Sequence, residues 1–280
     1  MKIGINAWSF PPGLSLGEQL DLAKQAGFDG YEPAFDETGP LSLESSDSEI
    51  TAVRGQIADA GLSITSLASG LYWKYPCTSD DPVIRDKSLQ VMKRQLEVAA
   101  LLNVDVVLVV PGCVYASFAS APPVQYDVAW DRALEAISTA AVHARSCKVR
   151  IGVENVWNHF LLSPLEMRTF IDTVNDPYVG CYFDVGNVIQ YGFPEHWIRI
   201  LGSRILKAHV KDFRRDVGTL SGFVNLLGGD VDFPEVMRAF AQAGYDDYII
   251  AEVGAYKHFG DQNVYDLAAA MRRIVGRQGG

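Results

Sequence analysis

A single-domain (β/α)8 barrel over residues 1–280 is the fold class the sequence predicts, and three observations predict it. Helical-period segments that close at Gly or Asn alternate with short apolar strands from one end of the chain to the other. Strands such as Val106–Val110 are apolar without interruption, which suits a sheet covered on both faces. The loops that follow strands are long, whereas those that precede them are short. The chain has 280 residues, 48% of them hydrophobic, and no Pro/Ser-rich linker divides it. That length fits one barrel of about 250 residues. A doubly wound open sheet would begin with a Gly-rich phosphate turn, and Gly4-Ile-Asn-Ala-Trp8 lacks the G-x-G-x-x-G pattern.

Strand one is expected at Ile3–Trp8, because apolar residues begin almost at once. The helical run Leu20–Ala26 closes at Gly27 and leads into strand two, Gly30–Phe35. Val53–Ala60 closes at Gly61 before strand three, Ser63–Ala68, and Leu89–Leu102 closes at Asn103 before strand four, Val104–Val110. Gly or Asn just past a helix suits the left-handed cap conformation. Strands five, six and seven are expected at Val149–Glu154, Gly180–Val185 and Ile205–Val210. Met237–Ala243 then closes at Gly244 before strand eight, Tyr248–Val253. The long segments Gly70–Asp81, Gly112–Tyr126 and Phe213–Asp230 follow strands three, four and seven. They place the functional side at the C-terminal ends of the strands.

The net charge of -10 argues against a nucleic-acid partner, because duplex binding needs a basic surface to displace counterions. The cysteines Cys77, Cys113, Cys147 and Cys181 make neither a C-x-x-C pair nor a zinc-finger spacing. A reduced, cytoplasmic protein is the expectation, with no signal peptide ahead of Lys2-Ile-Gly-Ile-Asn6 and no membrane partner. No apolar stretch approaches the roughly 20 residues of a membrane span.

Four of the apolar runs end on a metal-binding side chain: Glu154, Asp184, His209 and Glu252. They belong to strands five, six, seven and eight, which are neighbours in a barrel. Three carboxylates and an imidazole cannot share a dry site cheaply unless a cation neutralises them. The donor set suits one divalent ion among Mn²⁺, Mg²⁺, Co²⁺ and Zn²⁺. The plain alternative, a capping or salt-bridging role, suffices for any one residue taken alone. It is the weaker reading for four consecutive strand ends.

These four positions resemble the metal site of the xylose-isomerase-like barrels. The closer resemblance is to the sugar-phosphate isomerase/epimerase family, which includes ketose 3-epimerases and L-ribulose-5-phosphate 3-epimerases. It is carried by Gly152-Val-Glu-Asn155, Phe183-Asp-Val-Gly-Asn187, His209-Val-Lys-Asp212, Gly228-Gly-Asp-Val-Asp-Phe233 and Ala251-Glu252, and it spans nearly the whole chain. The resemblance implies that Glu154, Asp184, His209 and Glu252 hold the metal, with Mn²⁺ first among the candidates. It also implies that Glu154 and Glu252 are the catalytic acid/base pair, working through an enediolate. Arg215 resembles an arginine that ketose 3-epimerases place on substrate oxygens. Lys211 and Asn187 stand where the free-sugar enzymes tend to carry histidines, and those runs look more like the phosphopentulose branch. The expected activity is 3-epimerisation of a ketose or ketose phosphate, with aldose–ketose isomerisation or polyol dehydration as alternatives on the same barrel. A homo-oligomer, dimer or tetramer, is also in keeping with the resemblance.

Other candidates lie on the same side. Trp8, Tyr72 and Trp73 could stack on a sugar face, although aromatics at a barrel mouth also serve ordinary packing. Asn155 and Asn187 could bind hydroxyls or support metal ligands. His159 and His258 fall in loops on the active side, while His143 and His196 fall in helical segments and read as structural. A multi-zinc endonuclease on this barrel would need more histidines than the chain's 5 and a basic face. A sugar-binding barrel without chemistry is disfavoured because all four ligands are present.

Overall fold

A computed structural model describes residues 1–119 and 121–277. The barrel strands are β1 Lys2–Asn6, β2 Gly30–Glu32, β3 Ser63–Ile64, β4 Val106–Val109, β5 Arg150–Glu154, β6 Val179–Asp184, β7 Ile205–Val210 and β8 Tyr248–Ala251. They form one 8-stranded sheet in the order β3-β2-β1-β8-β7-β6-β5-β4. Every pairing in it is parallel. The two edges meet at Leu67, just beyond β3, which bridges to Val107 of β4. Leu67 N–H donates to the Val106 carbonyl at 3.2 Å, and Leu108 N–H donates to the Leu67 carbonyl at 3.0 Å. This seam is short of backbone bonds, and a buried side chain completes it. Gln95 donates from Nε2 to the carbonyls of Leu67 at 2.9 Å and Leu108 at 3.2 Å.

Eight main helices wrap the sheet: α1 Leu16–Ala26, α2 Asp47–Asp59, α3 Pro82–Leu102, α4 Tyr126–Cys147, α5 Pro164–Val174, α6 Pro194–Leu201, α7 Phe233–Gln242 and α8 Gly260–Ile274. Their ends follow from local chemistry. Ser15 with Glu18, and Ser46 with Glu49, form reciprocal capping boxes that satisfy orphan N–H groups of α1 and α2. Gly27 and Asn103 adopt left-handed conformations (φ 89° and 59°) that stop α1 and α3 where the sequence predicted. β4 and β6 are buried along their whole length, as a sheet covered on both faces requires.

Several expected strands are shorter than predicted: the barrel keeps Gly30–Glu32 of strand two, Val106–Val109 of strand four and Tyr248–Ala251 of strand eight. Strand one stops at Asn6 because the Asn6 side chain accepts the Trp8 N–H at 2.7 Å and turns Ala7–Ser9 into a 3-10 turn. Strand three keeps only Ser63–Ile64 in the ladder, plus the Leu67 bridge. The long loops stand on the C-terminal ends of the strands, as expected. One of them is pinned as a ribbon by the antiparallel pair Asp212–Phe213 with Phe223–Val224. Asp212 anchors it by accepting the N–H groups of Gly229 at 2.9 Å and Val231 at 3.1 Å. Position 229 has no room for a side chain, since a Cβ there would fall 2.3 Å from Asp212 Oδ1. Among the described residues no helix is long and apolar enough to cross a membrane.

Candidate metal centre

The register of β5 to β8 brings the four ends to one height. Asp184 lies opposite His209 across β6 and β7, and Glu154 lies opposite Tyr182 across β5 and β6. Glu252 follows β8 directly and donates its N–H to the Val210 carbonyl at 3.2 Å. One donor atom from each of Glu154, Asp184, His209 and Glu252 falls within 4.8 Å of all the others. Asp184 and His209 are fully buried, and Glu154 nearly so.

Asp184 and His209 are each held by contacts that leave one atom for the centre. The Asn155 side chain clamps Asp184 at its backbone, accepting its N–H and donating to its carbonyl, both at 2.8 Å. Asn187 N–H donates to Asp184 Oδ1 at 2.9 Å, and Asn187 Nδ2 donates back to the Asn155 carbonyl at 2.9 Å. Asp184 Oδ1 is thereby occupied and Oδ2 is left free. His209 is fixed from behind: its Nε2 lies 2.6 Å from Glu32 Oε2. Glu32 is a buried carboxylate with a full set of donors. It also accepts from Asn6 Nδ2 at 2.6 Å, from the Ser66 hydroxyl at 2.6 Å and from the Tyr182 hydroxyl at 2.5 Å. Burial alone would raise the Glu32 pKa; His209 and these donors outweigh burial and hold it below the ordinary carboxylate value. Nδ1 of His209 then faces the three carboxylates, 2.8 Å from Glu252 Oε2 and 3.6 Å from Glu154 Oε1.

Lys211 approaches from the cavity side. Its Nζ lies 2.9 Å from Asp184 Oδ2 and 2.8 Å from Glu252 Oε2. The approach depends on Gly186, where a Cβ would sit 2.5 Å from the Cβ of Lys211. These contacts are close enough for charge pairing but lack hydrogen-bonding angles. Asp184 Oδ2, His209 Nδ1 and Glu252 Oε2 are consequently buried polar atoms with no hydrogen-bond partner. Three such orphans beside a third carboxylate, Glu154, are costly by themselves. A divalent cation resolves that cost: it would take the orphan atoms as ligands and balance the two negative charges that one ammonium leaves over. Oxygen and imidazole donors of this kind suit Mn²⁺, Mg²⁺, Co²⁺ or Zn²⁺.

The two glutamates differ. Burial raises the Glu154 pKa to about 7, and the nearby Glu252 charge adds to that rise. Burial also acts on Glu252, but the Lys211 ammonium and His209 overcome it and hold that carboxyl at about 2. Both line a cavity of about 710 Å³ that opens on the strand C-terminal face. Trp8, Trp73, Asn187 and Lys211 line it too, so the structure gathers these expected substrate residues around the quartet. Three others lie elsewhere. Asn155 is not on this cavity and spends its amide on Asp184. His159 faces a neighbouring pocket, its Nδ1 2.9 Å from the Tyr115 carbonyl. Arg215 stacks over the Phe193 ring at 4.7 Å and donates to the Gly192 carbonyl at 3.1 Å, away from the cavity. Sequence reasoning missed Glu32, although Gly30-Tyr-Glu32 ends on a carboxylate in the same manner as the other four. It also missed Phe118, Trp157, Phe223 and Tyr256 on the cavity wall.

A family model described as "Xylose isomerase-like TIM barrel" matches residues 20–274. A Haemophilus influenzae protein named putative L-ribulose-5-phosphate 3-epimerase is 26% identical, over 98% of this chain and 95% of its own. Among solved structures, a D-psicose 3-epimerase studied in the presence of D-fructose superimposes with a TM-score of 0.80 at 20% identity, covering 99% of this chain and 100% of that one. An L-ribulose 3-epimerase does so with a TM-score of 0.80 at 17% identity, covering 98% of this chain and 94% of that one.

Proposed function

The chain belongs to the xylose isomerase-like TIM barrel family, and within it we propose a metal-dependent sugar 3-epimerase that uses Glu154 and Glu252 as its acid/base pair. The observation that carries the reading is the placement of two cavity-facing glutamates, one at the end of β5 and one just after β8, both beside Nδ1 of His209. Epimerisation inverts one carbon. It therefore needs a base on one face and an acid on the other.

A divalent cation held by Glu154, Asp184, His209 and Glu252 would polarise the sugar carbonyl and stabilise the charge that develops on its oxygen. The remaining work falls to the protein. One glutamate takes the proton from the carbon beside the carbonyl, and the other returns a proton to the opposite face. Lys211, already at the rim of the centre, offers a cationic hydrogen-bond donor to a substrate oxygen. Trp8 and Trp73 give flat apolar walls against which a sugar ring can lie, and Asn187 offers an amide edge. The relatives' names and this geometry support a ketose with or without a phosphate as the substrate class. Mn²⁺ is the first metal to try.

A panel of ketoses and ketose phosphates in D2O, with Mn²⁺, Mg²⁺, Co²⁺ or Zn²⁺ added, tests the proposal. Deuterium at C3 is the expected result. Label confined to C1 would move the assignment to an aldose–ketose isomerase. Glu154→Gln and Glu252→Gln should each abolish net epimerisation. Full solvent exchange in both variants would sink the two-base mechanism.

A further inference from the structure

Beside the catalytic cavity lies a second pocket of about 300 Å³, and the two share the walls Phe118, Val156, Trp157, Asn187 and Leu220. The rest of this annex is mostly apolar, including Phe160, Leu161, Leu162, Val188, Tyr191 and Trp197. Its described lining has no lysine or arginine, and the one histidine, His159, is tied to the Tyr115 carbonyl.

The main cavity repeats this chemistry. Among its described lining residues the single cation is Lys211, whose ammonium is committed to Asp184 and Glu252. Of the arginines on that face, Arg214 donates to the Gly228 carbonyl and Arg215 packs on Phe193. A phosphate ester desolvated here would meet one lysine, already shared between two carboxylates, and no arginine among the described lining residues, at a large cost. The cavity of about 710 Å³ is also far roomier than a free monosaccharide of about a dozen non-hydrogen atoms requires, since drug-sized ligands fill roughly 300–1,000 Å³.

We propose that this site takes a neutral keto-sugar carrying an apolar substituent at its far end, with the hydroxyketone at the quartet and the substituent in the annex. The inference rests on the epimerase reading and narrows its substrate class to exclude phosphate esters. Asn187 marks the junction between the two chambers. It supports Asp184 on one side and forms part of the annex wall on the other.

The test uses the full chain loaded with Mn²⁺ and three probes: D-fructose, D-fructose 6-phosphate and 6-O-benzyl-D-fructose. Dissociation constants come from quenching of tryptophan fluorescence, since Trp8, Trp73 and Trp157 all line the cavity. Proton exchange at C3 in D2O is followed in parallel. The benzyl ether should bind about tenfold or more tightly than D-fructose, from burial of one aromatic ring. The phosphate should bind no better than D-fructose. Leu162→Glu and Tyr191→Glu, at exposed annex positions that tolerate polar side chains in the fold, should each bring the benzyl-to-fructose ratio down to about one. Equal binding of benzyl ether and D-fructose, tightest binding of the phosphate, or no measurable binding would each overturn the annex proposal. Deuterium uptake at C3 without any preference overturns the annex and leaves the epimerase reading standing. Preferential binding of the benzyl ether with no uptake from any probe does the reverse.

Discussion

Replacing Glu32 probes how the centre is built, because Glu32 does not line the cavity yet fixes His209. Glu32→Gln is nearly isosteric. Its amide oxygen can keep Asn6 Nδ2 and His209 Nε2, while its NH2 faces the hydroxyls of Ser66 and Tyr182, which can rotate to accept. The fold survives, but the charge that holds Nε2 protonated and Nδ1 free is lost. Partners of this kind behind a metal-bound histidine are worth about 10- to 100-fold in metal affinity. At a metal concentration about 100 times the wild-type dissociation constant, binding stabilises the fold by about 2.7 kcal/mol. That corresponds to a rise in Tm of about 5–10 °C for a chain of this size. If the affinity falls about 100-fold, the same concentration yields about 0.4 kcal/mol, a rise of about 1 °C. Thermal unfolding with and without Mn²⁺, together with calorimetric titration of Mn²⁺, measures both quantities. Glu32→Ala serves as the disruptive control. It strands four buried donors and should cost about 3–5 kcal/mol in the metal-free protein. Unchanged Mn²⁺ affinity and an undiminished Tm rise in Glu32→Gln would refute the reasoning, because something other than Glu32 would then orient His209.

Lys211→Met should destabilise the metal-free protein by about 3 kcal/mol, since it leaves Asp184 and Glu252 buried without their cation. Added Mn²⁺ should then raise its Tm by more than in wild type, and an equal or smaller rise would contradict the charge-balance account. Asn155→Ala removes both bonds to the Asp184 backbone and should cost about 2–3 kcal/mol, with weaker Mn²⁺ binding by titration; intact metal affinity would mean that Asp184 is held by β6 alone. Gly186→Ala drives a Cβ to 2.5 Å from Lys211, so it should cost about 1–3 kcal/mol by denaturant unfolding and displace the ammonium.

The parts of the molecule that were legible in the sequence are those whose cause is local. Gly27 and Asn103 end helices because of their own backbone freedom, and Glu154, Asp184, His209 and Glu252 converge because consecutive strands of a barrel are neighbours. Glu32 escaped because its contact with His209 crosses the barrel, joining β2 to β7, which share no ladder. An argument from adjacent strands is blind to such contacts. Tyr182 was hidden for the same reason, as it alternates with the outward Phe183 on β6 and meets Glu32 through the interior. Asn155 and Arg215 illustrate a different blindness. A polar residue at a strand end can satisfy a neighbour's backbone as readily as a ligand, and Asn155 does so. Counting residues beyond His209 does not locate Arg215, because the Asp212–Phe213 and Phe223–Val224 ribbon turns that loop toward Gly192 and Phe193.

The asymmetry between the two glutamates follows from where Lys211 sits. Its ammonium lies 2.8 Å from Glu252 Oε2 and makes no ion pair with Glu154. Burial acts on both carboxyls, so the difference between about 7 for Glu154 and about 2 for Glu252 comes from that unequal neighbour, reinforced by His209 lying nearer to Glu252. Two carboxyls whose environments drive their pKa values apart are suited to opposite roles in one proton transfer. Epimerisation must begin each turnover with one carboxyl ionised and the other protonated, and must end with the two exchanged. The protein alone favours ionisation of Glu252 over that of Glu154, so in the proposed two-base reaction the direction in which Glu252 abstracts would start from the favoured state. A cation shared by both carboxylates would act against that bias by favouring ionisation of Glu154. In the proposed reaction, metal binding and the reversibility of proton transfer would thereby be linked through the same four side chains.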